Sequence, residues 1–134
     1  MRVCTSLALC LALSAILAPA LGADDFAFVA GTYAMDAEDC KAAASGKAFS
    51  DELVETLTDD VMTPAGITSA QSVHCRFRSA AKSDSGWTVK ADGEDSGETT
   101  PAELKVTSNP GGALAIANED IYGTEPQVFQ LCPK

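Results

Sequence analysis

The chain has 134 residues and a formal net charge of −10, set by 19 acidic residues against nine lysines and arginines and a single histidine. Such an anionic surface is repelled by nucleic-acid phosphates and anionic membranes, and one histidine excludes zinc centres that need several. The length suits one small domain with a modest core.

The amino terminus reads as an address label. Met1-Arg2 is basic, Val3 to Leu17 is apolar apart from Thr5, Ser6 and Ser14, and Ala18-Pro19-Ala20-Leu21-Gly22 supplies small residues ahead of Asp24-Asp25. Basic, apolar, small, then polar is the order of a secretory signal peptide. Cleavage is expected after Gly22, or else after Ala20. Residues 1–22 are thus a leader and 23–134 a single secreted or periplasmic β-rich domain. A membrane anchor would need an apolar run of roughly 20 residues, and the small-residue exit argues for cleavage instead. Leu7-Ala8-Leu9-Cys10 resembles a lipobox but has Leu9 where that motif needs a small residue. Losing the leader removes Arg2 and none of the acids, so the net charge moves from −10 to −11. It also leaves Cys40, Cys75 and Cys132 in an oxidising compartment, enough for one bridge and one spare thiol. Cys75 sits in an apolar pattern and Cys40 and Cys132 in polar surroundings. This favours Cys40–Cys132, with Cys40–Cys75 as the alternative.

Phe26 to Tyr33 reads as a first strand. Asp36 is placed to cap a short helix over 37–44 that Ser45-Gly46 ends. Ser50 to Thr58 fits two patterns. Ser50 as a cap with Leu53, Val54 and Leu57 on one face argues helix, while Thr56, Thr58 and Val61 favour extended chain, and the reading leans to strand. Asp59-Asp60, Pro64 and Gly66 then interrupt the chain. In 71–92, Val73, Cys75 and Phe77 alternate with His74, Arg76 and Arg78. After a polar loop ending at Gly86, Trp87, Val89 and Ala91 alternate with Thr88, Lys90 and Asp92. These two runs read as a hairpin with one apolar and one wet face. Residues 92–101 read as an acidic loop. Leu104 and Val106, then Leu114 and Ile116 beyond the turn at Asn109-Pro110-Gly111-Gly112, make a second hairpin. Ile121-Tyr122 and 127–132 complete the sheet. The fold class is mainly β: a small antiparallel sheet curled into a barrel or sandwich, with a short N-terminal helix around Cys40.

Candidate chemistry is sparse. Asp92, Glu94, Ser96 and Glu103, with Gly97 between them, follow the spacing of an EF-hand calcium loop, in which many oxygens surround the ion and a glycine permits the sharp turn. Glu94 and Ser96 replace the usual Asp or Asn, Pro101 interrupts, and a strand precedes the loop where that motif has a helix. Calcium is therefore the one cofactor with a pattern, and the expectation is none. His74 and Cys75 are neighbours on a strand, so they face opposite ways and cannot form an activated thiolate pair. No Cys-x-x-Cys is present, and no carboxylate pair lies in the apolar setting that raises one pKa. His74, Arg76 and Arg78 gather positive charge on one face. That face could receive an anion or a partner's carboxylate, or pair internally with acids on a neighbouring strand.

Gly31-Thr32-Tyr33, Cys40, Ser72-x-x-Cys75, Trp87-x-Val89 and the terminal Cys132 resemble a pattern in small secreted bacterial β-rich proteins of uncharacterised activity. Their C-x-x-E-G segment corresponds to Ala91-Asp92-Gly93-Glu94 here and lacks its cysteine, which by that resemblance would leave Cys75 without a partner. The resemblance implies a β-rich secreted domain and no activity. The expected function is binding without catalysis. The alternatives are an inhibitor of a basic enzyme such as lysozyme, a calcium module, or a cell-envelope hydrolase using acidic residues.

Overall fold

The computed structural model describes residues 26–134, so the leader assigned to 1–22 lies outside the described residues. Eight strands, each antiparallel to the next, stand in space in their chain order. They are β1 (Tyr33–Ala34), β2 (Val61–Thr63), β3 (Gly66–Thr68), β4 (His74–Ser83), β5 (Gly86–Asp95), β6 (Glu98–Ser108), β7 (Leu114–Ala117) and β8 (Gln127–Leu131). β1 pairs with both β2 and β8 and closes the barrel. Of the two architectures expected, barrel and sandwich, the chain adopts the barrel. Among the described residues three short α-helices decorate it: α1 (Asp39–Ser45), α2 (Asp51–Thr56) and α3 (Glu119–Tyr122).

The period-two pattern is obeyed where it is cleanest. Cys75, Phe77, Val89, Ala91, Leu104, Val106, Leu114, Ile116 and Phe129 point inward with Tyr33, Met62 and Ile67. Eight strands leave an interior just wide enough for side chains to fill. Phe129, Met62, Ile67, Leu104 and Ile116 are accordingly shielded from solvent almost completely. Gly66 is required between β2 and β3. Its φ of 144° suits glycine, and a Cβ there would lie 1.9 Å from the Cys75 carbonyl oxygen.

The outer layer contains most of the corrections. Residues 26–32 are not a strand. Val29 N donates to the Phe26 carbonyl in a turn, and β1 begins only at Tyr33. The Phe26 ring stacks on Phe77 at 5.6 Å and that of Phe28 on Trp87 at 4.6 Å, so this segment closes the lower end of the barrel. α1 starts at Asp39 rather than Ala37, because the Asp36 carboxylate accepts from Glu38 N in a preceding turn. Within the segment 50–58, residues Asp51–Thr56 are helical, not extended. Ser50 Oγ accepts from Leu53 N, and Leu53 is buried with Ala34, Ala43 and Val61 on the barrel's outer wall. The cap and that burial outweigh the β preference of Thr56. Ile121 and Tyr122 lie in α3, capped by Asn118 Oδ1, rather than in a strand.

The loops expected ahead of Gly86 and at 92–101 are also strand apart from their turns. β4 and β5 run on to a two-residue turn at Asp84-Ser85. A bulge between Phe77 and Ser79 leaves Arg78 without an opposite partner, so that the inward series continues at Ala80 against Val89. β5 and β6 likewise continue to a turn at Ser96-Gly97. β7 pairs with β6 only from Lys105 onward, so residues 98–104 form an edge. Pro101, which has no N–H to give, is tolerated there.

Candidate site at the barrel mouth

Cys40 and Cys132 are bridged, tying α1 to the end of β8, and Cys75 remains a free thiol in the core. The alternative pairing of Cys40 with Cys75 is thereby excluded. Burial pushes the Cys75 thiol up to about 11, helped by the Asp60 charge, so it stays protonated at neutral pH.

The residues with calcium-loop spacing are laid out along a ribbon. Asp92 pairs with Arg78, and Glu94 Oε1 lies 2.6 Å from Arg76 Nε. Ser96 Oγ donates to Asp95, and Glu103 stands opposite Lys90. An extended hairpin cannot wrap these groups around one ion. Among the described residues no group of three or more His, Cys, Asp or Glu is placed to hold a metal.

The face formed by His74, Arg76 and Arg78 is paired internally. Its ion pairs cross from β4 to β5 and are half exposed, each contributing at most about 1 kcal/mol. The Arg76 guanidinium lies 4.1 Å above the Phe49 ring, which meets the His74 imidazole at 5.7 Å. Phe49 holds a left-handed φ of 65°, strained for a bulky side chain, with its N–H donated to Thr68 Oγ1. His74 is accordingly half-buried rather than wet. Its Nδ1 accepts from Ser69 N at 3.2 Å. Burial holds its pKa below the ordinary 6.5, with Arg76 adding to the effect and Glu94, Asp60 and Asp51 opposing it.

The upper end of the barrel is open. A cleft of about 420 Å³ there is lined by Met35, Val73, Ile121 and Tyr122, with Asp59, Asp60, Asp95 and Asp120 contributing carboxylates and Ser69, Gln71 and Gln127 polar groups. Asp60, only 9% exposed, is the anchor. Its carboxylate accepts from the Tyr122 hydroxyl at 3.0 Å and from Ala70 N at 3.3 Å. Burial raises its pKa above 3.8 despite these donors, and Asp59 adds to the rise. Burial and the neighbouring Asp60 together push the Tyr122 hydroxyl far up, so it serves as a donor and not as a base. Cleft size and placement suit a ligand site: mouths of β-barrels are frequent binding sites, and such pockets run from about 300 to 1,000 Å³.

Below the mouth a second acid braces the helices. Asp39 accepts from Thr58 N at 2.9 Å and from Asp59 N at 2.8 Å, which orients the turn leading to Asp60. From sequence, Asp39 falls within the helix read over 37–44, Asp59-Asp60 reads as a chain break and Tyr122 as strand. The only local signal for the mouth is an acidic pair set directly before the apolar Val61-Met62. Compared with known proteins, the chain matches no family model, no curated relative and no solved structure.

Proposed function

We propose that this protein is a small exported binding module that acts without catalysis and takes its ligand at the open end of the barrel. The supporting observation is the cleft, with an apolar floor of Met35, Val73 and Ile121 and carboxylates of Asp59, Asp95 and Asp120 at its rim. An apolar stem ending in a positive charge fits that arrangement, as offered by a lysine or arginine side chain on the surface of a basic protein. The net charge of −11 that remains without the leader would steer such a partner from a distance. This favours the inhibitor reading, in which the module docks on a basic enzyme such as lysozyme.

The test is calorimetric titration of the mature protein with lysozyme at low and high salt. A rim variant, Asp59→Asn/Asp95→Asn/Asp120→Asn, is carried in parallel. Binding is expected at low salt, weakening as the screening length shrinks toward about 8 Å at physiological ionic strength, and lost in the rim variant. No binding at low salt would overturn the inhibitor reading. Binding undiminished by the rim changes would overturn the placement of the site at the mouth.

A further inference from the structure

We propose that His74 latches the loop 69–73 at the rim of the mouth, and that proton uptake at its Nδ1 releases the loop and makes the cleft's shape depend on pH. The loop joins β3 to β4 and supplies Ser69, Gln71 and Val73 to the cleft wall. It is tightly wound: Gln71 N donates to Ser69 Oγ, Ser72 N to the Ser69 carbonyl, and Ser72 has a left-handed φ of 63°. Its first two amides both end on titratable acceptors, Ser69 N on His74 Nδ1 and Ala70 N on Asp60 Oδ1.

The two acceptors respond differently to acid. A protonated carboxyl keeps a carbonyl oxygen, so the Ala70 bond can survive protonation of Asp60. An imidazolium has no acceptor at all, and its Nδ1–H would face the Ser69 N–H donor to donor. Ser69 is buried, so its amide has no water to turn to while the loop stays in place. The loop must move for that amide to be satisfied.

Every charged neighbour of His74 enters this balance. Arg76 on the same strand opposes the proton, Glu94 on β5 attracts it while already paired with Arg76, and Asp60 ahead of β2 and Asp51 on α2 attract it from the other side. Burial, partly by the Phe49 ring, outweighs these acids. The switch therefore works below pH 6.5 and is held shut at neutral pH.

The latch stands independently of what the mouth binds; only its consequence for access rests on the proposed function. Its test uses the mature, ligand-free protein labelled with ¹⁵N, with the His74 ring and the amides of 69–73 followed from about pH 7.5 to about pH 4.5. The Ser69 amide should move with the same midpoint as the ring. Its hydrogen exchange, corrected for the intrinsic effect of pH, should quicken on the order of tenfold below that midpoint. His74→Asn places a non-titrating oxygen near the Nδ1 position, and should keep Ser69 protected and erase the midpoint. His74→Ala should leave Ser69 unprotected at every pH. A Ser69 amide indifferent to the titration of the ring overturns the proposal, as does a loop transition that persists in His74→Asn. Should the variants fail to fold, the wild-type titration decides the matter alone. A ligand never being found would leave the loop result standing.

Discussion

Removing the Cys40–Cys132 bridge is the sharpest probe of how the helical layer is held. The bridge spans 92 positions and so closes a loop of 93 residues. In the chain-entropy account, freeing a loop of that length stabilises the unfolded state by about 4.6 kcal/mol at 25 °C. A domain of this size has only about 5–15 kcal/mol in total, so the loss is a large share of it. Little else fastens α1 to the barrel: the buried contacts there are Ala34, Ala43, Leu53 and Val61, with Asp39 supplying two hydrogen bonds. The double variant Cys40→Ser/Cys132→Ser, compared with wild type by urea unfolding, should therefore lose about 3–5 kcal/mol. Cys75→Ala serves as the control. It deletes one buried sulfur and no cross-link, and should cost only about 1–2 kcal/mol. A loss below about 1 kcal/mol in the double variant would refute the loop-entropy reasoning. A loss of helical signal with the barrel's stability intact would show that the bridge merely pins α1.

Two further outcomes test the interior. Asp39→Ala orphans the amides of Thr58 and Asp59 and should cost about 2–4 kcal/mol, whereas Asp39→Asn keeps one acceptor oxygen and should cost about half; equal losses in urea unfolding would refute this bracing role. The raised pKa of Asp60 means that the folded state holds its proton more tightly than the unfolded chain. That contribution to stability is full below 3.8 and is lost as pH rises through the raised value. Asp60→Asn cannot titrate, so the stability of wild type minus variant, from unfolding midpoints across pH, should fall from 3.8 upward and then level; a flat difference would count against it.

How much could be read in advance follows from the range of each signal. Val89, Ala91, Leu104, Val106, Leu114 and Ile116 are legible because every second residue on a strand meets the same surface, whatever closes over it. The same rule misled at 79–86, where the bulge at Arg78 shifts the alternation by one and makes true strand look like polar loop. It misled at 26–33 for the opposite reason. Phe26 and Phe28 alternate, yet they serve as a plug stacked on Phe77 and Trp87. At 50–56 the Ser50 cap signal was present, and burial of Leu53 against the barrel wall decided between it and the β-branched residues.

By itself the sequence determined the antiparallel hairpins, their apolar faces and the inward place of Cys75, because all three are local properties of alternation and turn chemistry. Closure of the barrel through the two-residue β1, the exclusion of Cys75 as the alternative to the favoured Cys132 in the bridge to Cys40, and the mouth where Tyr122 reaches Asp60 across 62 positions were decided only by tertiary structure. Partners that far apart leave no mark on local pattern. They meet only after the intervening chain has been ordered, and the contacts that repay that ordering belong to the closed barrel as a whole.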